Sequence, residues 1–358
     1  MDVRQITRHA SRAILFIVGV VMMIGLCCSS PVIIDKLRIK WVNLIAPNPI
    51  LVDIPAPIML SNQLPSTTHE FMWSKDGSFI IVELEEDCLG IDLQSNTIDT
   101  NALEGILPNL LGEESSEDTP FHEDSNHAIW DHCYEEDIFI TGTEFDEDEF
   151  EFYLWQDQNL ISTFSFSSDQ WKKTNQFRNP FHVFTFSPGC RYFTISLFGD
   201  LDVDVQAQGE LWILDIENRS LELVKGRWAP YLLFEYSVQS VIPEWSPDGT
   251  QIVFGGGEFG LERLDLDNMK RQFIASPKLN LYRPNWSPSG KWIAARNLSN
   301  QDDSIVIISS DGKLLAETPM CSYISSFDWT PLSDNLAYIC SGDAYDDPKI
   351  LYVLNLID

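Results

Sequence analysis

Pro243-Glu244-Trp245-Ser246-Pro247-Asp248-Gly249 returns 41 residues later as Pro284-Asn285-Trp286-Ser287-Pro288-Ser289-Gly290. After another 43 it appears in shortened form as Phe327-Asp328-Trp329-Thr330-Pro331. Upstream, Phe184-Thr185-Phe186-Ser187-Pro188-Gly189 and Phe71-Met72-Trp73-Ser74-Lys75-Asp76-Gly77 fit the same frame. A unit of about forty residues that restarts on an aromatic-Ser-Pro-Asp-Gly turn is a tandem supersecondary module, unable to bury its own apolar face without a neighbour.

Each unit opens with a short strand ending on the aromatic residue. In the turn that follows, Pro presets φ for the first corner, Asp caps locally and Gly accepts positive φ. A second strand is read in Gln251–Phe254 and Lys291–Ala295, and a third in Gly209–Asp215, Asp303–Ile308 and Lys349–Leu354. A polar turn then leads to a fourth, such as Gln272–Ile274 or Leu314–Leu315. Four antiparallel strands per unit make the blade of an all-β propeller. The anchors Trp73, Trp130, Phe186, Trp245, Trp286 and Trp329 predict six blades, with seven as the alternative if 225–242 hide a further strand pair. Trp73, Trp245, Trp286 and Trp329 are expected in the wedges between blades, as core rather than as a ligand platform.

Trp245-Ser-Pro-Asp-Gly249 with Gln251–Phe254, and the later Leu211-Trp-Ile-Leu-Asp215 and Leu351-Tyr-Val-Leu-Asn355, resemble the TolB-type, WD-like β-propeller repeat. The resemblance covers about residues 70–358 and is strongest from 184 onward. It implies the fold, and it implies protein interaction near an envelope by analogy alone.

The chain ends at Asp358, directly after a third strand. A missing fourth strand leaves an open, aggregation-prone edge. Part of 49–60 is therefore expected to supply the outer strand of the last blade, where Pro49, Pro55 and Pro57 are tolerated.

Charge excludes some functions. The 358-residue chain carries 54 acidic against 23 basic residues, a net charge of −31, and Asp76–Trp171 holds 26 acidic residues with no Lys or Arg. Such a field repels nucleic acid and anionic lipid. Solubility is the leading reading of the acidic loops; a cationic or calcium-bearing partner is the alternative.

Arg4, Arg8 and Arg12 precede an uncharged apolar run over 13–34, long enough to cross a hydrocarbon core. The domain reading is a short tail over 1–12, a transmembrane signal-anchor helix over 13–34, a linker with the closing strand over 35–68 and the propeller over 69–358. A cleaved signal peptide and lipidation at Cys27 are the rivals. Arg4, Arg8 and Arg12 are balanced by Lys36, Arg38 and Lys40, so flanking charge does not set orientation; a single-pass protein of the cell membrane with an extracytoplasmic propeller is the simpler case. Of the cysteines beyond the anchor, Cys321 and Cys340 are the nearest pair if the compartment oxidises, with buried free thiols as the alternative.

Chemistry-bearing motifs are sparse. His122, His127, His132 and Cys133 are zinc-competent types, but their spacing fits no familiar four-ligand site. Asp200–Asp204 and Asp343–Asp347 read as exposed acidic faces with calcium the minor alternative, Glu144–Glu151 reads as a solvated loop between two strands, and no other cofactor is implied. No Gly-x-Ser-x-Gly elbow or phosphate loop is present. The function expected is that of a membrane-anchored, acidic propeller binding a protein or peptide, without catalysis of its own. The alternative is a carbohydrate-active lyase or hydrolase using carboxylates at the channel mouth.

Overall fold

The computed structural model describes residues 49–64, 68, 70–74, 76–83, 88–93, 97–99, 127–134, 136–143, 150–156, 159–166, 181–198, 209–228, 243–255, 260–298, 302–341 and 349–356. Residues 13–34, expected as the anchor, lie outside them; no helix among the described residues is long and apolar enough to cross a membrane.

The chain begins its ordered course with β1 (Ile50–Leu51) and β2 (Ile58–Leu64). A first antiparallel sheet follows in β3 (Phe71–Trp73), β4 (Phe79–Glu83), β5 (Cys88–Asp92) and β6 (Thr97–Asp99). The second comprises β7 (His127–Cys133), β8 (Ile138–Thr143), β9 (Phe150–Gln156) and β10 (Asn159–Phe166). The third is β11 (Phe181–Phe186), β12 (Tyr192–Phe198), β13 (Gly209–Asp215) and β14 (Ser220–Trp228). The fourth is β15 (Glu244–Trp245), β16 (Gln251–Gly255), β17 (Leu261–Asp265) and β18 (Lys270–Ala275). The fifth is β19 (Leu281–Trp286), β20 (Trp292–Leu298), β21 (Asp303–Ser309) and β22 (Leu314–Glu317). The last has β23 (Tyr323–Trp329), β24 (Asn335–Ser341) and β25 (Lys349–Asn355), completed by β2. The described residues thus form six sheets, each with four antiparallel strands. Residues 225–228 belong to β14, and 229–242 lie outside the described residues.

Alternation along each strand sends side chains to two opposite faces, which lets a sheet pack on a neighbour on either side. In the last sheet, Ala337, Ile339, Leu351 and Val353 face Trp73, Ile80 and Val82 of the first. Leu336, Tyr338 and Leu354 face Ala294, Ile305 and Ile307 of the fifth. Further shared clusters join the second sheet to the third, the third to the fourth and the fourth to the fifth. Consecutive sheets from the second to the last share clusters and the last packs on the first, the arrangement of a β-propeller. Trp73, Trp245, Trp286 and Trp329 fill these wedges at 3–8% exposure.

Part of 49–60 closes the last sheet as expected, through residues 58–60, while an earlier part pairs with the sheet before it. The outer strand of the last sheet is β2, antiparallel to β25 with Ile58 opposite Val353 and Leu64 opposite Lys349. The prolines at 49, 55 and 57 fall outside both short strands, since they supply no N–H to a ladder. The earlier β1 instead lies parallel on β22, with the Ile50 N–H bonded to Lys313 O (2.7 Å). Lys349, buried, donates through Nζ to the Thr68 carbonyl and so ties the last strand to the chain just ahead of the first sheet.

The aromatic-Ser-Pro-Asp-Gly turns share one hydrogen-bond plan. Ser246 Oγ donates to Asp248 Oδ1 (2.6 Å) and accepts the Gln251 N–H (2.9 Å). Asp248 also accepts the Thr250 N–H (3.0 Å), and Gly249 adopts φ +67°. Ser74, Asp76 and Gly77 repeat the plan, and the Ser78 and Ser74 hydroxyls on Asp76 lower its carboxyl to about 2. The turns also stack around the ring. A Cβ on Gly290 would touch Pro247 Cδ at 3.8 Å, one on Gly77 would touch Pro331 Cδ at 3.7 Å, and one on Gly249 would collide with the Pro188 carbonyl oxygen.

Candidate functional site at the propeller axis

First strands of neighbouring sheets approach one another, β7 with β11, β15 with β19 and β19 with β23. They therefore surround the axis. The residue just before the aromatic anchor has one register in all six sheets: Met72 pairs Ile81, Asp131 pairs Ile140, Thr185 pairs Thr194, Glu244 pairs Val253, Asn285 pairs Ala294 and Asp328 pairs Ala337. Three carboxylates, an amide and a hydroxyl thus share one tier.

Anchors one step along support this tier from behind. Trp286 Nε1 donates to Glu244 O (3.2 Å) and Trp329 Nε1 to Asn285 O (3.0 Å), fixing each inner strand to the one before it. Within the tier, Asn285 Nδ2 donates to Asp328 Oδ1 (2.9 Å), which also accepts the Trp329 N–H (2.8 Å). Asp131 Oδ2 accepts the Phe186 N–H (2.9 Å), crossing from the second sheet to the third. Glu244 differs: among the described residues its carboxylate accepts no hydrogen bond.

Electrostatics follow from that arrangement. Burial pushes the Glu244 carboxyl up to about 7, and the Asp328 charge adds to the rise. Asp328 is raised by burial as well, although the Asn285 amide and the Trp329 N–H pull it back. The Asp328 charge reaches Glu244 across the intervening fifth sheet, as only groups near the axis do. The site offers unneutralised negative charge in a half-buried setting, where a cation is attracted more strongly than at an exposed surface.

The residues singled out for metal chemistry fall elsewhere. His122 lies outside the described residues, as do Asp200–Asp204, Asp343–Asp347 and 144–149. His127 lies on β7, its backbone opposite Thr143. His132 takes the aromatic position of its sheet, opposite Phe139, so the second anchor is His132 rather than Trp130. Its ring packs on Tyr134 and Phe139, and its Nε2 sits 3.1 Å from Asp137. Cys133 is bonded to Cys190, joining the second sheet to the third, and Cys321 is bonded to Cys340. The Cys133 sulfur is therefore committed to a disulfide, and among the described residues no group of three His, Cys, Asp or Glu is placed to hold a metal ion.

Sequence reasoning passed over Glu244, Asn285 and Asp328. Their signal lay inside the repeat itself, as the middle residue of Pro-Glu-Trp, Pro-Asn-Trp and Phe-Asp-Trp.

No family model matches the chain, and no curated protein matches it. Among solved structures, the chain is similar to a luciferin-regenerating enzyme at 11% identity, covering 84% of this chain and 95% of that one with a TM-score of 0.40. It is similar to a calcium-binding regucalcin from Agrobacterium tumefaciens at 12% identity, covering 86% and 95% with a TM-score of 0.40. It is likewise similar to a putative TolB from Agrobacterium tumefaciens at 15% identity, covering 83% and 92% with a TM-score of 0.37. The chain's own sheets and repeat carry the conclusion: it is a β-propeller.

Proposed function

We propose that this chain is a six-bladed propeller, tethered to the cell membrane through residues 13–34 and held outside the cytoplasm, which binds a cationic segment of a protein or peptide at its axis. The single observation behind this reading is Glu244, a carboxylate near the axis with no donor of its own among the described residues and a second carboxylate, Asp328, acting on it. A Lys or Arg side chain entering there supplies the missing counter-charge. Two disulfides support an oxidising compartment. The test is retention of partners from detergent-solubilised membranes by the full chain and by a Glu244→Gln/Asp328→Asn double variant. Loss of salt-eluted partners from the variant is expected; an unchanged set refutes the reading.

One observation favours a second reading. A carboxyl near neutral pKa is suited to general acid chemistry, and Glu244, raised by burial and by the Asp328 charge, meets that requirement for a carbohydrate-active enzyme. Cleavage of a polysaccharide that Glu244→Gln abolishes would replace the binding reading with this one.

A further inference from the structure

Two residues before Asn285 on the same inner strand stands a group of opposite sign. Arg283 stands on β19 at a bulge: Tyr282 pairs Arg296 and Asn285 pairs Ala294, so Arg283 and Pro284 together oppose one residue. Its backbone is at φ +52°, immediately before a proline. Left-handed backbone is costly for a side chain with a Cβ, and the residue before proline is pushed toward extended conformations. Such strain persists where the surroundings impose it, most often at a functional site.

The surroundings come from three sheets. Arg296 of β20 is buried and holds Asp303 through both Nε (3.0 Å) and Nη2, while Asp303 also accepts the Ile324 N–H (3.1 Å). The Arg296 guanidinium lies over the Tyr323 ring of the last sheet at 4.5 Å. Glu70, at the entry to the first sheet, acts on Arg283 with the opposite sign to Arg296. Side chains of the fifth, last and first sheets influence one group only near the axis. Arg296 is already neutralised by Asp303. Arg283 is half-buried, and among the described residues nothing accepts a hydrogen bond from it.

We infer that Arg283 is the seat of a carboxylate on the bound peptide, so that the axis recognises a segment carrying both a basic and an acidic side chain. This rests on the binding reading above. A guanidinium pairs a carboxylate through two parallel hydrogen bonds, and Arg296 and Tyr323 lie within electrostatic reach of Arg283. In a chain of net charge −31, an unpaired arginine near the axis also selects against partners that offer positive charge alone.

The experiment uses the full chain in detergent micelles at low salt, with calorimetric titration of three probes: Ac-Ala-Lys-Ala-Glu-Ala-NH2, its Glu-to-Gln counterpart, and tri-galacturonate. Wild type is expected to bind the glutamate peptide about tenfold more tightly than the glutamine peptide, the scale of one charge-assisted pair. Arg283→Asn is the informative variant. Asparagine accepts positive φ, so folding is kept or improved while the guanidinium is removed. Its melting temperature should hold or rise and the tenfold preference should vanish. A Lys-dependent signal, equal for the two peptides and lost in Glu244→Gln, overturns the Arg283 inference and leaves the binding reading standing. A melting temperature lowered by Arg283→Asn with the preference intact assigns Arg283 to structure and overturns it as well. Binding of tri-galacturonate alone overturns both, in favour of the carbohydrate reading.

Discussion

Replacing Glu244 by glutamine should stabilise the protein at alkaline pH and leave it nearly unchanged in acid. In the folded protein this carboxyl sits at about 7 against an ordinary 4.5, so the folded state holds the proton more tightly than the unfolded chain does. The stability this contributes is complete below about 4.5 and is lost as pH rises through about 7, because above that value the protein folds around an unfavourable charge. At about 1.36 kcal/mol per unit, the full swing is about 3 kcal/mol. Glutamine does not titrate, and it forfeits no hydrogen bond, since none of the described residues donates to the carboxylate. With about 2 cal/mol/K of unfolding entropy per residue, the variant should melt about 5 °C above wild type at pH 8 and within about 1 °C of it at pH 5. Circular dichroism melts at one scan rate, disulfides intact, measure this directly. An equal offset at both pH values, or a variant that melts lower at pH 8, would mean that a positive group compensates Glu244, and the electrostatic account of the axis would fall. Asp328→Asn should give a smaller gain, because the Asp328 carboxylate accepts from Asn285 and Trp329 and those bonds are weakened with it.

The stacked turns make a paired prediction. Gly77→Ala, at φ +69° with only ordinary contacts for a Cβ, should cost about 1–2 kcal/mol, whereas Gly249→Ala adds a collision with the Pro188 backbone and should cost more than about 3 kcal/mol; urea unfolding separates them, and equal losses would mean the turns do not stack. Trp329→Phe forfeits the bond to Asn285 O, while Trp245 Nε1 is buried with no partner. Trp245→Phe should therefore be the milder substitution by about 1 kcal/mol in the same assay. Mild reduction should lower the melting temperature, with the Cys133–Cys190 bridge, which spans 57 residues, worth about 4 kcal/mol and Cys321–Cys340, which spans 19, about 3 kcal/mol. Cys133→Ser should reproduce the larger share, and no shift on reduction would remove the support for an oxidising compartment.

The repeat frame was legible because each of its positions has a separate physical reason. Proline, aspartate and glycine in the turn specify backbone angles locally, and the period-two strands after it specify two buried faces. The second sheet shows where that reasoning runs out. Its first strand carries both Trp130 and His132, two residues apart and thus on one face of an ideal strand, and the larger aromatic is the natural anchor. The ladder chooses His132, opposite Phe139, because a register shift between Ile129 and Asp131 moves the frame. A bulge is set by how the hairpin closes, and that leaves no composition signal. The closing segment is similar: apolar residues from 49 to 64 fit either of two neighbouring sheet edges, and the prolines divide them into β1 on the fifth sheet and β2 on the last. The axial tier escaped because its members differ in type. Met72, Thr185, Asn285 and three carboxylates look unrelated until the ladder gives them one register.

That variability itself separates the axis from the rest of the ring. Wedge positions hold aromatics, and turn positions hold serine, proline and glycine, because closure needs the same contacts at each step. Nothing about closure calls for Glu244, whose charge opposes folding above about pH 7, or for Arg283, which holds φ +52° ahead of a proline. A methionine, as at position 72, or a threonine, as at 185, fills the first register without penalty. Local choices that conflict with the fold and lack a compensating contact mark positions kept for something other than stability. Here the two conflicts are of opposite charge: Glu244 belongs to the tier, and Arg283 stands two residues before its member Asn285 on the strand that Glu244 and Asp328 flank on either side. A ligand with charges of both signs relieves both conflicts in one binding event, and a ligand of one sign relieves only one of them.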